Sequence, residues 1–165
     1  MKDITFVRHA KSSWDSFSIP DHDRPLNNRG QRDSVFMGKK LSSLGFKPQI
    51  IICSSAKRAQ LTAKNISKSL NDTDIIIKKE LYDSFPANYM KIIGKIDDKY
   101  SDVMIVGHNP TMTDIINYYS PEIIYNVPTT GVFKIQFDTE KWIDISFESG
   151  KLIEFIYPKM FKHEY

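Results

Sequence analysis

The sequence predicts an α/β fold in which helices cover both faces of a mainly parallel sheet, with antiparallel strands towards the C-terminus. Two observations predict it. As far as residue 119, short apolar runs of strand length alternate with segments whose apolar residues recur at helical spacing. From residue 132 onwards the pattern changes, and three strand-like runs follow one another without a helical segment between them. With 165 residues and no linker or repeat, the chain is predicted to form a single domain, residues 1–165.

Strands are predicted where short runs are apolar and often β-branched. These runs lie at residues 4–7, 48–53, 75–77, 103–106, 132–137, 143–147 and 152–157. Ser149-Gly150 separates the last two runs and is predicted to be a hairpin turn.

Helices are predicted between the first strands by spacing and by capping residues. The first begins at Asn27 or Asn28 and is ended by Gly45, and the second begins at Ser54-Ser55. A third follows Pro86, and a fourth has Pro110 near its first turn. Residues 10–27 are polar and contain two prolines, so they predict a long loop, and loops of that length are often functional.

The composition excludes several classes of protein. The formal charge is +3, from 23 basic and 20 acidic residues, and its spread along the chain predicts no binding to nucleic acid. Cys53 is the only cysteine, so neither an internal disulfide nor a cysteine-based zinc site can form, which fits a reducing compartment. No apolar run approaches the roughly 20 residues of a membrane span, and no signal-peptide pattern is visible. We therefore expect a cytoplasmic protein without a membrane partner.

Basic and polar side chains follow three of the predicted strands at the point where each strand ends. Arg8-His9 comes after the first strand, residues 54–58 come after the second, and Gly107-His108 comes after the fourth. Ligand sites in such sheets lie at the carboxyl ends of the strands, so we expect these side chains to converge. A guanidinium can hold phosphate oxygens in a planar fork, and a neutral imidazole nitrogen can form a bond to phosphorus. The pattern therefore indicates phosphoryl transfer.

Five short motifs extend this set. They are residues 7–14 (VRHAKSSW), 23–27 (DRPLN) followed by Arg29-Gly30, 56–59 (AKRA) followed by Thr62-Ala63, 106–110 (VGHNP) and 128–131 (PTTG). In this order the motifs resemble the histidine phosphatase superfamily, and within it the small SixA-like phosphohistidine phosphatases. The resemblance implies a phosphoglycerate mutase-like three-layer fold that works without a metal or an organic cofactor. It also implies a covalent phosphohistidine intermediate on His9, in a phosphate pocket completed by Arg8, Arg58 and His108.

The chemistry assigns the two histidines different protonation states. His9 must present an unprotonated nitrogen, so its other nitrogen should donate to a fixed acceptor such as a backbone carbonyl. His108 is expected to bind the phosphate dianion as a cation, with its protonation favoured by that dianion.

Six further residues are candidates around this centre. Lys11, Ser12, Arg24 and Asn109 are predicted to bind substrate, and Glu80 and Asp83 are the candidate general acids. Neither carboxylate lies in a clear family motif. A missing general acid favours a phosphorus–nitrogen substrate, because a protonated imidazole leaves more easily than an alkoxide.

These observations predict a phosphatase that hydrolyses phosphohistidine on proteins. Two alternatives stay open: a small-molecule phosphomonoesterase of the same superfamily, and a module that recognises phosphate without turnover. The expected partner is accordingly a phosphohistidine-bearing protein or a small phosphorylated substrate. The presence of His9 argues against the binding module, because a binder needs the cations and not the nucleophile.

Overall fold

Six strands and four α-helices alternate along most of the chain in a computed structural model, which describes residues 1–164. The strands are β1 (Lys2–Arg8), β2 (Ile50–Ser54), β3 (Ile75–Lys78), β4 (Asp102–Gly107), β5 (Val132–Phe137) and β6 (Gly150–Ile156). The helices are α1 (Asn28–Ser43), α2 (Lys57–Ser67), α3 (Pro86–Gly94) and α4 (Thr111–Tyr119). Short 3-10 segments lie at Asp21–Asp23, Lys79–Leu81, Trp142–Asp144 and Pro158–Glu164, the last of them kinked at Phe161.

The strands form one sheet in the order β3-β2-β4-β1-β5-β6. The first four strands in this order run parallel, and β5 and β6 are antiparallel additions at one side. The register places Val7 opposite both Val106 and Val132, so the ends of β1 and β4 and the beginning of β5 share one edge of the sheet. The predicted fold class is confirmed.

Both faces of the sheet are buried, which explains why the central strands are continuous apolar runs. In β4, Val103 and Ile105 pack on one side with α3 and α4, whereas Met104 and Val106 pack on the other side with α1 and α2. All four side chains are fully buried. Successive strand residues thus supply both cores, as the two-residue period of a strand requires.

Capping residues set both ends of α1. The side chain of Asn27 accepts a hydrogen bond from the Gly30 amide at 2.8 Å, and Gly45 follows α1 with a φ of +82°, which favours glycine. Helix α2 begins at Lys57, and the predicted start at Ser54-Ser55 is two residues too early because Ser54 still belongs to β2.

The helices are 9 to 16 residues long. In residues 1–164 none combines the length and apolar character needed to cross a bilayer.

The predicted strand at residues 143–147 and the turn at Ser149-Gly150 are both wrong. Trp142 begins a 3-10 segment and is anchored by its indole N–H, which donates to the Tyr100 carbonyl at 3.0 Å. Strand β6 pairs directly with β5, so residues 143–147 do not form a strand between them. Gly150 is the first residue of β6, opposite Phe137, and a Cβ there would lie 2.3 Å from the side chain of Ile135.

Candidate active site

The ends of three parallel strands bring the predicted core of the site together. Arg8 ends β1 directly opposite Gly107, which ends β4, so the next residues, His9 and His108, leave the sheet side by side. Their imidazole rings lie 5.0 Å apart between centroids. Ser54 ends β2, and its hydroxyl lies 2.7 Å from Nε2 of His108. The convergence expected from strand order is therefore present.

The imidazole of His9 is fixed in the form that a nucleophile needs. Its Nδ1 lies 2.7 Å from the carbonyl oxygen of Ala10, and because a carbonyl can only accept, Nδ1 carries the proton and Nε2 has the free electron pair. Burial lowers the pKa of His9 to about 4, against the hydrogen bond to Ala10 and with help from the positive charges of Arg58 and Arg8. His9 is therefore neutral at physiological pH.

The chain around His9 is tied to α1 and α2. The Ala10 amide donates to the hydroxyl of Thr62 at 2.9 Å, and that hydroxyl donates to the Arg58 carbonyl at 2.8 Å. On the other side, a Cβ at Gly30 would lie 2.1 Å from the carbonyl oxygen of Lys11, so glycine lets α1 approach this loop. These contacts fix the position of the nucleophile relative to Arg58.

The side chains of Asn109 and Arg8 donate hydrogen bonds to the same backbone carbonyl. Nη1 of Arg8 donates to the Val127 carbonyl at 2.9 Å, and the amide of Asn109 donates to the same oxygen at 3.0 Å. The same nitrogen, Nδ2 of Asn109, also donates to Oδ1 of Asn126. Oδ1 of Asn109 accepts hydrogen bonds from the amide and the hydroxyl of Thr113. The structure thus gives Asn109 a bracing position behind Arg8, and its predicted substrate contact stays a prediction.

Arg58 lies in the first turn of α2 and is held by Asp21. Its Nη1 donates to the Asp21 carbonyl at 2.7 Å, and its Nη2 donates to the Asp21 carboxylate at 3.1 Å. Arg58 is 6% exposed, so its guanidinium has little freedom to leave this position.

The Asp21 carboxylate gathers three donors. Besides Arg58, it accepts from Nε of Arg24 at 3.1 Å and from the hydroxyl of Tyr82 at 2.7 Å. Burial raises its pKa, but the Tyr82 hydrogen bond and the positive charge of Arg58 outweigh that effect and lower the pKa to about 2. Asp21 is therefore ionised at neutral pH. Sequence reasoning placed it in a polar loop and did not connect it with Arg58.

The predicted cationic form of His108 concerns the phosphate-bound site and stays a prediction. Burial, together with the neighbouring His9 and Arg58, lowers the pKa of His108 to about 3 against the opposing effect of Asp21. The protein's own groups therefore keep the ring neutral, and only the negative charge of a bound dianion would favour the expected cation. The ring of Tyr82 stands edge-on to it, 5.8 Å between centroids.

The predicted substrate-binding residues Ser12 and Arg24 contact each other. Nη1 of Arg24 donates to the Ser12 hydroxyl at 2.8 Å, and the guanidinium lies 3.5 Å above the ring of Trp14. Both Arg24 and Ser12 are buried, and Arg24 reaches the site through Asp21. Lys11 is half-buried, and its side chain makes no hydrogen bond or ion pair within residues 1–164.

The candidate general acids lie outside this network. Glu80 and Asp83 are exposed, and neither forms a hydrogen bond or an ion pair with another residue of the described chain. Asp83 lies near Tyr82, whose pKa is raised by burial, by its bond to Asp21 and, less strongly, by the Asp83 charge.

Residues 1–164 give little support to a metal site or to a cysteine nucleophile. They contain no group of three or more histidine, cysteine or acidic residues able to hold a metal ion. Cys53 is buried, and burial raises the pKa of its thiol to about 12, which makes it a poor nucleophile. His22, in the polar loop, lies 2.9 Å from the Ser55 hydroxyl and edge-on to the ring of Tyr82.

Comparison with known proteins agrees with this geometry. The family model of the histidine phosphatase superfamily (branch 1) matches residues 4–85, which include His9 and Arg58. The chain belongs to the histidine phosphatase superfamily, and a phosphatase is the class of protein that its fold and site define.

Two of the similar proteins match nearly the whole chain. A provisionally named phosphohistidine phosphatase SixA of Agrobacterium tumefaciens is 25% identical, with a TM-score of 0.83 over 95% of this chain and 98% of that one. An uncharacterized protein of Mycobacterium leprae is 28% identical over 93% of this chain and 100% of its own length. An uncharacterized chloroplastic protein of Arabidopsis thaliana is 34% identical over 64% of this chain, and the match spans 53% of that longer relative.

Proposed function

We propose that this protein hydrolyses phosphohistidine on proteins through a covalent phosphohistidine intermediate on His9. The observation that carries the proposal is the His9 ring itself, which is neutral and fixed through Nδ1 by Ala10. The guanidiniums of Arg8 and Arg58 supply the positive charge that a transferring phosphoryl group needs.

The first half of the reaction moves the phosphoryl group to His9. Nε2 forms a bond to phosphorus while the phosphorus–nitrogen bond of the substrate breaks. The substrate enters with its second ring nitrogen protonated, so its imidazole leaves neutral. His9 keeps its Nδ1 proton on the Ala10 carbonyl, and the phosphorylated ring is therefore an imidazolium.

The second half returns the enzyme to its starting form. Water attacks phosphorus, the bond to Nε2 breaks, and His9 leaves as neutral imidazole. The proton of the water goes to His108, whose ring is 5.0 Å from His9. The neutral His108 ring can accept this proton, because the phosphate dianion beside it raises its pKa. When the phosphate leaves, His108 gives the proton to solvent and is neutral again.

The state of the carboxylates supports a phosphorus–nitrogen substrate over an alkyl phosphate. An alkoxide leaving group needs a proton donor, which is typically worth about a hundred- to ten-thousand-fold in rate. Asp21 contacts Arg58, but with a pKa of about 2 it carries no proton at neutral pH. Glu80 and Asp83 are exposed. A protonated imidazole needs no such donor.

Turnover of two matched peptides tests the proposal, one carrying phosphohistidine and the other phosphoserine at the same position. We expect the wild type to hydrolyse the phosphohistidine peptide with much the higher kcat/KM. In His9→Ala, kcat/KM on the phosphohistidine peptide should fall more than about a thousandfold. The control is His163→Ala, which replaces an exposed histidine in the last 3-10 segment and should leave kcat/KM unchanged. Equal rates on both peptides, or an active His9→Ala variant, would overturn the proposal.

A further inference from the structure

A cavity of about 440 Å³ lies beside the candidate active site, along the same edge of the sheet. It is bounded by the loop before β5, the segment after β6 and the first turns of α1. Its lining includes the polar and charged residues Arg29, Arg32, Asp33, Thr129, Lys159 and Lys162. Val132 is paired with Val7 on one side and with Ile156 on the other, so this cavity and the end of β1 lie at one edge.

Two contacts join the cavity to the nucleophile. Arg29 donates from Nη2 to the Thr129 hydroxyl at 3.2 Å. The next residue, Thr130, donates its amide to the carbonyl oxygens of Arg8 and His9 at 3.0 and 3.2 Å. A substrate segment that leaves the phosphate pocket on this side therefore passes over the cavity.

The charge of this cavity is unbalanced. Among residues 1–164, its lining includes four basic side chains and one carboxylate, Asp33, which is buried and lies 3.7 Å from Nε of Arg29 and 3.9 Å from Nε of Arg32. Lys159 and Lys162 are exposed and form no ion pair or hydrogen bond with another residue of the described chain.

We propose that this basic cavity binds carboxylate side chains of the protein substrate that flank its phosphohistidine. The inference rests on the proposed function, because a protein substrate must place neighbouring residues against the surface beside His9. Arginine forks and lysine ammonium groups are the side chains that bind carboxylates, and complementary charge at the rim of a site speeds association and selects partners. The cavity then determines which phosphohistidine proteins are preferred, while Arg8 and Arg58 determine the chemistry.

Two phosphohistidine peptides of equal length test the inference, one with glutamate and one with glutamine on both sides of the phosphorylated residue. They are compared on the wild type, on Lys159→Gln/Lys162→Gln, and on Lys47→Gln/Lys151→Gln. The last pair is exposed and lies at the opposite edge of the sheet, so it removes the same charge elsewhere. For the first variant we expect kcat/KM on the glutamate peptide to fall about 3- to 10-fold at low salt. Its kcat/KM on the glutamine peptide should stay unchanged.

The control variant Lys47→Gln/Lys151→Gln should behave as the wild type. The preference for the glutamate peptide should disappear near 1 M salt, where the Debye screening length is only about 3 Å. Equal turnover of both peptides by the wild type overturns the inference and leaves the proposed function intact. Equal losses on both peptides in the first variant also overturn it. If the wild type hydrolyses neither peptide, the proposed function fails and the inference fails with it.

Discussion

Replacing Asp21 with asparagine keeps the size of the side chain and removes its negative charge. The new amide nitrogen would face donors, because Arg58, Arg24 and Tyr82 all give hydrogens to the carboxylate. We expect the guanidinium of Arg58 to lose its fixed orientation while remaining in the protein. Asp21 is thus a positioning residue, and its loss should be seen mainly in turnover.

The cost in stability follows from the lowered pKa. A shift from 3.8 to about 2 corresponds to about 2.5 kcal/mol of interaction with the ionised form. Because the Asp21 side chain is 52% exposed, solvent screening reduces this to about 1 kcal/mol of unfolding free energy. For a chain of this length we expect the Tm to fall by about 3 °C.

The cost in activity should be larger. Removing a donor that stabilises transition-state charge typically costs about a hundred- to a thousandfold, and displacing Arg58 without removing it should cost about 10- to 100-fold. The assay is initial-rate hydrolysis of a phosphohistidine peptide, with kcat carrying most of the loss. Asp23→Asn is the matched control, because Asp23 lies in the same 3-10 segment and its carboxylate contacts only His22 within residues 1–164.

A double-mutant cycle separates positioning from general damage. In an Arg58→Ala background, Asp21→Asn should have almost no further effect on kcat, because the residue it positions is absent. The reasoning is refuted if Asp21→Asn costs the same factor in both backgrounds, or if Asp21→Asn and Asp23→Asn are indistinguishable.

Three further predictions concern protonation and packing. The rate of phosphoenzyme formation should not fall as the pH is lowered from 8 to 5, because the substrate ring gains the proton it needs while His9 stays neutral down to its pKa of about 4; a loss of rate with a midpoint near 6.5 would contradict this. Because the unfolded chain binds that proton from pH 6.5 downwards and the folded chain only near 4, His9 should lower the unfolding free energy by about 3 kcal/mol over this window, in addition to the loss caused by His108. Urea unfolding should show a smaller loss in His9→Gln, and an equal loss would exclude His9 as the cause. Gly30→Ala should lower the Tm by several degrees because its Cβ meets the Lys11 carbonyl, whereas Gly94→Ala meets only the tip of Ile143 at 3.1 Å; similar Tm values would contradict the close approach.

The central cluster of the site could be predicted because it follows from strand topology. Arg8, His9 and His108 each adjoin a strand end, and parallel strands place those ends at one edge whatever the loops do. Arg58 could be placed there because α2 begins two residues after β2 ends.

The second layer of the site could not be predicted in the same way. Asp21 lies in a polar loop without periodicity, and its partners Arg58 and Tyr82 are 37 and 61 positions away. Nothing in local spacing determines such a contact. Tyr82 follows a strand that is short and largely exposed, so its direction depends on tertiary packing.

The false strand at residues 143–147 has a different origin. Ile143 and Phe147 belong to an alternating apolar and polar run, which is typical of a strand with one buried face. In the structure both side chains are mostly exposed, and Phe147 packs edge-on against Tyr118 at 5.3 Å. Alternation alone cannot show whether a segment pairs with a neighbouring strand, and here β6 pairs directly with β5 without residues 143–147 between them.

The location of the transferred phosphoryl group tests the central claim most directly. The protein is mixed with a phosphohistidine peptide, quenched within milliseconds in alkaline denaturant, which preserves phosphorus–nitrogen bonds, and digested for mass spectrometry and NMR. The account predicts a phosphoryl group on Nε2 of His9 that forms and decays at the rate of turnover. A phosphoryl group on Ser54, Cys53 or His108, or turnover without any phosphoenzyme, would contradict it.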